Sequence, residues 1–329
     1  MTHSTVSPRL QGRRASVASR LGAPDLLPLW TGLGLVLLFS AMHSAFLTWP
    51  NFWNIVRQSA VLLVASMGST FVILMGSVDL SIGAIMTLAA IVAATSEPAL
   101  GPASLLAGLA AGALCGGVNG VLNAVLRLPS FLVTLGTLFV FQSVGLIVSH
   151  GRPHPWMTPF TDFAAGGVVF GVVPKIGLWA AAVLVICVFV AARTRFGQAV
   201  YAIGDNERTS RMAGLQVRRL KITVFVVAGL IASVAGMLLG IRSFSAAPGM
   251  GDSFLLDTIA AVVLGGTSLT GGVGGPLRTV FGVLVIVVLA NGMTLLQIDP
   301  FYQIGIRGFV VIAAVMLTMR RRSADDVVK

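Results

Sequence analysis

The chain is divided into apolar runs of membrane-spanning length, and this pattern restricts its fold more than any other feature. A transmembrane helix needs about 20 mostly apolar residues. Runs of this kind recur with short breaks at 27–47, 58–76, 79–96, 103–126, 130–149, 176–192, 222–241, 254–270, 278–297 and 303–319. Only 10% of the residues are charged, far fewer than in soluble domains. The sequence therefore predicts an all-α integral membrane protein with about ten transmembrane helices.

The basic residues predict how these helices are oriented. An even number of spans places both termini on one side, and Lys and Arg concentrate in cytoplasmic loops. With the N-terminus inside, 17 of the 22 Lys and Arg residues fall in segments assigned to the cytoplasm. We therefore expect an N-in, C-in arrangement with a disordered cytoplasmic tail at 1–26, a membrane domain at 27–320 and a cytoplasmic tail at 321–329. The net charge of +11 follows from this topology and does not indicate nucleic-acid binding, because the basic residues lie between apolar runs.

No catalytic motif is present in the sequence. A phosphate-binding P-loop needs a Gly-rich stretch ending in Lys and a hydroxyl residue, and none of the three lysines, Lys175, Lys221 and Lys329, has that context. Ser-His-Asp and metal-ligand spacings are also missing. Few ionisable residues lie inside the apolar runs, whereas ion-driven transporters usually keep several there. The sequence therefore argues against an enzyme and against ion coupling.

The cysteines and histidines do not indicate a metal site. Cys115 and Cys187 each lie inside an apolar run without paired spacing, and we expect them to be buried as small hydrophobic side chains. His150 and His154 lie in the longest predicted external loop, 150–175, whose prolines oppose the helix that would bring the two rings together. We expect this loop to pack at the membrane interface or to contact an external partner.

Two of the apolar runs are expected to contain broken or re-entrant helices, near 76–83 and 254–276. Both are interrupted by glycines, and each places an aspartate, Asp79 or Asp257, at or near membrane depth. Non-helical backbone at that depth is tolerated only where it is buried in protein or lines a cavity. Both aspartates are followed by a hydroxyl residue near the head of an apolar run, which is a faint sign of internal repetition.

The loop at 193–221 combines seven basic residues with a short predicted helix. Asp205 is suited to cap the N-terminus of this helix, with Asn206 and Glu207 in the first turn, where the helix dipole favours polar and acidic groups. Gly214 supplies the C-terminal stop, so the helix has only about two turns. A helix of that length is marginal on its own, and we expect it to dock against another surface.

Two docking surfaces remain open for this helix. Arg208 and Arg211 are three residues apart and share one face. That face is suited either to lie on anionic headgroups or to insert into a cytoplasmic partner protein. The charge pattern does not separate the two interpretations.

Three stretches of the sequence carry a family resemblance. They are Gly76–Gly83, reading GSVDLSIG; Arg195–Glu207, reading RFGQAVYAIGDNE and continuing to Gly214 and Lys221; and Val263–Gly272, reading VLGGTSLTGG and followed by Gly274–Pro276. In residue identity, order and separation they resemble the membrane permease subunits of bacterial ABC importers of the ribose, xylose and galactose type. The likeness extends from about residue 50 to residue 320. Asp205 departs from it, since many relatives have a second glycine there.

The resemblance implies a complex of two permease copies, as a homodimer or a heterodimer, in the bacterial cytoplasmic (inner) membrane. It also implies two ATPase subunits, which hold the ATP and Mg, and an extracytoplasmic sugar-binding protein. This chain itself would carry no catalytic residue, metal or cofactor. The resemblance places the ATPase contact at 204–214, with the residues Gly204, Asn206, Glu207, Arg208, Arg211 and Gly214.

Polar residues within the apolar runs are the candidates for a translocation pathway, because such side chains face a cavity or another helix. They are Asp79, Ser81, Asn119, Asn123, Asp257, Thr258, Thr267 and Ser268. Each has a structural alternative: Ser and Thr bond back to their own helix, and the two asparagines, near a cluster of glycines, would join helices.

The solute is not readable from the chain. A monosaccharide is the first interpretation, another polar solute such as a nucleoside, polyol or branched-chain amino acid is the second, and an ion-coupled secondary transporter is the third.

Overall fold

The computed structural model describes residues 27–310 and 312, and this part of the protein is almost entirely helical. Its helices are α1 Leu27–Met42, α2 Trp49–Leu74, α3 Ile82–Leu100, α4 Ser104–Ala124, α5 Ser130–Ser149, α6 Pro159–Ala164, α7 Lys175–Arg193, α8 Arg195–Asp205, α9 Glu207–Met212, α10 Val217–Arg242, α11 Asp252–Leu264, α12 Pro276–Leu295 and α13 at 300–310. The predicted tails at 1–26 and 321–329 lie outside the described residues. The prediction of an all-α membrane protein is confirmed.

Four two-residue strands form the only sheet structure within 27–310. β1, His154–Pro155, pairs antiparallel with β4, Ser245–Ala246. β2, Val168–Val169, pairs antiparallel with β3, Val173–Pro174. The first pairing fastens the loop after α5 to the loop after α10. The end of the bundle that carries 193–221 is called the basic end. The two paired loops lie at the opposite end.

Six helical segments of the described chain are long and apolar enough to cross a membrane: Trp49–Leu74, Ile82–Ala124, Ser130–Ser149, Lys175–Arg193, Val217–Arg242 and Pro276–Leu295. The second is 43 residues long and contains both α3 and α4. Gly101, with φ of 54°, ends α3, and a 3-10 turn at Gly101–Ala103 leads into α4. Gly108 then packs against Ala89, so the two helices form an antiparallel hairpin. The count of ten spans and the N-in, C-in arrangement stay predictions.

The most buried of these segments are α2 and α10, which form the centre of the bundle, whereas α5 and α7 lie at its periphery. Large apolar side chains on the outer helices, such as Leu114, Ile147 and Val185, are exposed on the surface of the chain. Exposed leucine and isoleucine on a membrane helix are stable against lipid tails, which are as apolar as they are. The central position of α10 makes it the element against which the others are arranged.

Glycines on one face of α4 allow it to approach α10 closely. A Cβ atom at Gly112 would collide with Gly229 and Ser233, and one at Gly116 would collide with the backbone of Phe225. Four-residue spacing of small residues is typical of helices that pack backbone to backbone in membranes. The neighbouring Gly117 lies off this face, where an added Cβ would come no closer than 3.8 Å to Val226.

Two buried polar pairs fasten α12 to α2. The side-chain amides of Asn51 and Asn291 donate to each other's oxygens, at 3.0 Å in both directions. The hydroxyls of Thr70 and Thr279 lie 2.9 Å apart. Hydrogen bonds between side chains contribute to helix association in a membrane because the lipid offers no alternative partner.

Helix breaks occur in both stretches where the sequence predicts them. Residues 75–81 between α2 and α3 and residues 265–275 between α11 and α12 are not helical. α11 has only 13 residues. The breaks therefore produce helices that begin or end inside the bundle.

The N-termini of α3 and α11 meet inside the bundle. Gly83 and Gly251 lie backbone to backbone, and the N–H of Gly251 donates to the Thr87 hydroxyl at 3.0 Å. Gly236 of α10 packs against Met86. Met86 is therefore level with Gly236, and Gly83 lies three residues earlier in α3. Gly83 is thus about nine residues, or about 13 Å along the helix axis, from the end of α10.

Candidate functional site

The break at 75–81 carries a chain of buried side-chain hydrogen bonds. Asp79 accepts hydrogen bonds from the backbone N–H of Ser81 at 2.8 Å and from its hydroxyl at 2.6 Å. The Asn119 amide of α4 donates to the Ser81 hydroxyl at 2.8 Å, and the Thr137 hydroxyl of α5 donates to the Asn119 oxygen at 2.6 Å. The structure therefore brings together three of the predicted pathway residues, with all their side chains buried.

Two hydroxyl groups of α5 satisfy the backbone of the same break. The N–H of Val78 donates to the Ser130 hydroxyl at 3.1 Å, and the N–H of Leu80 donates to the Thr134 hydroxyl at 3.0 Å. Backbone groups that leave a helix at membrane depth need such partners. The sequence analysis missed these residues, although their spacing of four places them on one face of an otherwise apolar helix.

Asn123 does not join this network. Its amide donates to the backbone oxygen of Leu128 at 2.9 Å, across the turn between α4 and α5. This hydrogen bond of Asn123 therefore stabilises the turn between α4 and α5.

The remaining predicted pathway residues lie elsewhere. Asp257 of α11 faces Arg307 of α13, with 3.5 Å between its Oδ2 and Nη1 of the arginine, a partner that the sequence analysis did not assign. Thr258 bonds back to the Leu255 oxygen of its own helix at 2.9 Å. This is the bond that the structural alternative for Thr258 describes, and a place for Thr258 in the pathway stays a prediction.

Thr267 and Ser268 shape the glycine-rich loop at 265–275. The Thr267 hydroxyl accepts a hydrogen bond from the N–H of Gly275 at 3.2 Å, and the Ser268 and Thr270 hydroxyls lie 2.8 Å apart. Neither Thr267 nor Ser268 forms a hydrogen bond with the Asp79 network.

A second polar contact at membrane depth was missed by the sequence analysis. The amide of Gln142, on α5, donates to the carboxylate of Asp252 at 3.1 Å. Asp252 is exposed at the start of α11, beside the Gly83 and Gly251 contact, and Ser253 next to it is also exposed. A charged group at this depth is costly in lipid and is expected to face a water-filled cavity or another protein surface.

The basic loop contains two helices, α8 and α9, instead of one. Asn206 caps α9, because its side-chain oxygen accepts the N–H of Thr209 at 2.9 Å. The expectation that Asp205 caps this helix is wrong: Asp205 is the last residue of α8. Asn206 has an extended backbone that separates the two helices, which is the geometry of an N-cap.

Gly214 ends α9 as predicted. Its φ is 86°, its N–H bonds to the Arg211 oxygen at 3.1 Å, and the N–H of Leu215 bonds to the Ser210 oxygen at 3.1 Å. This is the pair of bonds of a Schellman motif, for which glycine is favoured at the left-handed position. The helix therefore has six residues.

Glu207 binds within the chain on both sides. Its two carboxylate oxygens pair with Arg211, one turn along α9, at 2.8 Å and with Lys221 of α10 at 2.7 Å. The hydrogen bond from Lys221 is the main cause that lowers the pKa of Glu207 below its ordinary value. Glu207 thus fastens α9 to the first turns of α10.

Arg208 and Met212 are the outward side of α9. Both are exposed, Met212 at 74%. Arg208 has no ion-pair partner among residues 27–310. A cation and a large apolar side chain on one short helix form a surface suited to a protein partner.

α8 contacts both helix breaks. A Cβ at Gly204 would collide with the backbone of Leu74 and of Gly272, and the N–H of Gly272 donates to the Leu74 oxygen at 2.9 Å. The Tyr201 hydroxyl donates to the Gly274 oxygen at 2.9 Å, and burial raises the pKa of this phenol. The end of α2, the end of α8 and the glycine-rich loop therefore meet at one junction, in which Gly204 is a packing residue.

A cavity of about 940 Å³ opens at the basic end beside this junction. Its wall combines the turn between α4 and α5 with α9 and the start of α10, and it reaches Gly76 and Ser77 of the first break. Its charged residues are Arg127, Arg211, Arg218, Arg219, Lys221 and Glu207.

Neither cysteine nor histidine forms a metal cluster in the described part of the chain, where no group of three or more potential ligands occurs. Cys115 and Cys187 are buried free thiols. His154 bonds through Nε2 to the Ser149 oxygen at 3.1 Å, which packs the loop after α5 against its own helix.

This arrangement, an apolar helical bundle with internal helix breaks and a docked loop helix, is that of a multi-pass membrane protein. The model of the family described as branched-chain amino acid transport system / permease component matches residues 51–315. The chain belongs to this family. No solved structure matches it.

Among curated proteins, the chain is 39% identical to the ribose import permease protein of Bacillus subtilis over 88% of this chain and 91% of that protein. It is 35% identical to the ribose import permease protein of Escherichia coli over 98% of this chain and all of that protein. It is 34% identical to the D-allose transport system permease protein of E. coli over 86% of this chain and 88% of that protein. The resemblance stated from the sequence is confirmed.

Proposed function

We propose that this chain is the membrane-spanning subunit of an ATP-driven importer that translocates a monosaccharide. Its relatives named above are import permeases for ribose and D-allose. In this proposal the chain has ten spans with both termini in the cytoplasm of a bacterium. Two permease copies work with separate ATPase subunits, which supply ATP and Mg, and with an extracytoplasmic sugar-binding protein.

The observation that carries the coupling mechanism is the junction of α8 with both helix breaks. Gly204 contacts Leu74 and Gly272 through backbone atoms, so no flexible side chain lies between them. A rigid-body push on α8 and α9 would therefore move the end of α2 and the glycine-rich loop together. An ATPase that binds two states of this loop unequally shifts the bundle between them.

The Asp79 network gives the first break a defined shape. Thr137, Asn119 and Ser81 donate in sequence toward the Asp79 carboxylate, which ties the break to α4 and α5. We assign these buried residues to positioning. Because these hydrogen bonds hold the shape of the break, a displacement of Leu74 at the end of α2 would also move α3.

The pathway is proposed to pass Gln142 and Asp252. These two groups and Ser253 present hydrogen-bonding atoms at membrane depth on the surface of the chain. A sugar offers hydroxyl groups that both donate and accept, and a carboxylate with an amide complements them. A second permease copy facing this surface would enclose the pathway between the two subunits.

Arg208 and Met212 test the ATPase contact. The variant Arg208→Ala/Met212→Ala should reduce ATPase co-purification and ATP-dependent uptake, while Arg195→Ala, which removes one exposed charge at the start of α8, should reduce neither. Both variants should reach the membrane in normal amounts. Normal ATPase association of the double variant would contradict the proposed contact.

Uptake into proteoliposomes that contain the permease, its ATPase and its binding protein tests the solute. We expect ATP-dependent accumulation of ribose or D-allose. A branched-chain amino acid is the second candidate, because the matching family model carries that description. Accumulation of leucine without accumulation of either sugar would favour it. Uptake that persists without the ATPase and collapses with a protonophore would show an ion-coupled transporter instead.

A further inference from the structure

The cavity at the basic end has an excess of positive charge among its described lining residues. The one acidic side chain among the described lining residues, Glu207, is already paired with Arg211 and Lys221. Arg127, Arg218 and Arg219 also line it, and none of these three has an ion-pair partner among residues 27–310. Unpaired cations gathered around a concave surface favour an anionic occupant.

The helix termini add to this positive field. The first residues of α5, Ser130 and Phe131, and the first residue of α10, Val217, line the cavity. The N-terminus of a helix carries a partial positive charge and unpaired N–H groups. Two N-termini and five basic side chains thus face one space.

The position of the cavity identifies the source of the anion. The turn between α4 and α5 joins two apolar helices and lies where a bilayer has its headgroups. Leu126, Leu128 and Phe131 are exposed beside the cavity, at 58%, 45% and 51%. These side chains place the mouth of the cavity beside the lipid tails, so a phospholipid headgroup can enter it while its acyl chains stay on apolar surface.

We propose that this cavity binds the phosphate headgroup of an anionic phospholipid. The headgroup lies between Arg127 on one side and Arg218 and Arg219 on the other, and the acyl chains pass over Leu128 and Phe131. The bound lipid joins the turn after α4 to the start of α10. Basic pockets between membrane helices bind anionic lipid headgroups in this manner.

The test measures binding of fluorescent phosphatidylglycerol to the purified full-length protein in detergent, with phosphatidylcholine as the neutral comparison. The variants Arg218→Gln/Arg219→Gln and Arg127→Gln remove cavity charges from two different elements. The matched control Arg193→Gln/Arg195→Gln removes two charges from the same loop outside the cavity lining. We expect phosphatidylglycerol to bind saturably, and the double cavity variant to bind it roughly tenfold or more weakly than the control.

Equal loss in the cavity variant and the control would overturn the proposal, because it would show general charge attraction. Equal binding of phosphatidylcholine would overturn it as well. Displacement of the lipid by inorganic phosphate at millimolar concentration would assign the cavity to a free anion. Unchanged lipid binding together with loss of ATPase association would assign the arginines to a protein contact. Thermal unfolding of each variant, measured alongside, confirms that binding is compared between folded proteins.

Discussion

Tyr201 on the basic loop donates its phenolic hydroxyl to the backbone oxygen of Gly274, 73 residues away in the chain and 2.9 Å away in space. It is the side-chain counterpart of the backbone contact between Gly204 and Gly272. Together the two contacts attach α8, which leads into the helix that we assign to the ATPase contact, to the loop that follows α11. The proposed coupling mechanism depends on this attachment.

We first predict that Tyr201→Phe uncouples ATP hydrolysis from transport. The change removes one hydrogen bond worth about 1 kcal/mol and leaves the ring packed. Uptake per ATP hydrolysed should fall severalfold while ATPase association is retained. Tyr302→Phe is the matched control, because Tyr302 is exposed and lies on α13. An unchanged ratio in the Tyr201 variant would remove this bond from the mechanism.

Second, we predict that docking of α9 depends on pH through Glu207. Its pKa is lowered in the folded protein, so the stabilisation is complete above the ordinary value of 4.5 and is lost as the pH falls through the lowered value. Because the side chain is 41% exposed, solvent limits the effect to less than about 1 kcal/mol. Hydrogen exchange of 207–212, expressed relative to the intrinsic rate at each pH, should accelerate below that pH.

Lys221→Met should produce the same acceleration at neutral pH, because Glu207 then loses its partner on α10 while Arg211 keeps α9 itself intact. Exchange in α5 serves as the internal reference. If exchange in α9 is slow in this variant, the ion pair does not hold the helix.

Third, we predict opposite outcomes for two adjacent glycines. Gly116→Ala places a methyl group against the backbone of Phe225, and separating α4 from α10 should cost about 1–3 kcal/mol or more. Gly117→Ala finds only Val226 at 3.8 Å and should be neutral or stabilising by up to about 1 kcal/mol, since alanine favours the helix. Thermal unfolding in one detergent measures both. Similar losses for the two variants would contradict the close α4–α10 contact.

Fourth, we predict that Asn51 and Asn291 are energetically coupled. Either single substitution by Leu removes both hydrogen bonds between the two amides and should cost about 1–3 kcal/mol, although Asn51 still donates to the Phe46 oxygen when Asn291 is replaced. The double variant removes both amides, and its loss should be smaller than the sum of the single losses. A double-mutant cycle on thermal or denaturant unfolding measures the difference. Additive losses would show that the two amides act independently.

Much of the fold was readable from the sequence because its signals are local. Length and hydropathy of the apolar runs predict membrane helices, and glycines with an aspartate at membrane depth predict breaks at 76–83 and 254–276. Gly214 predicts the end of α9 because a left-handed residue after a helix favours glycine wherever that helix lies. The N-cap was misplaced by one residue, since Asp205 and Asn206 both suit that position and only the backbone distinguishes them.

The site was less readable, because its contacts join residues far apart in the chain. Asp79, Ser81 and Asn119 were predicted because they are polar residues within apolar runs. Neighbouring residues in the sequence do not show that Thr137 donates to Asn119 or that Gln142 donates to Asp252. The ATPase contact of Glu207 stays a prediction, and the sequence did not show that this side chain also pairs with Arg211 and Lys221 within the chain.

The sequence by itself determined the class of protein, its apolar spans and the two places where helices break, because each depends on residues next to one another. Only the tertiary structure decided which polar groups face each other, since a side chain's partner depends on how helices distant in sequence pack. Asn51 and Asn291, 240 residues apart, show the limit: each alone is an ordinary polar residue, and only the packing of α2 on α12 makes them a pair.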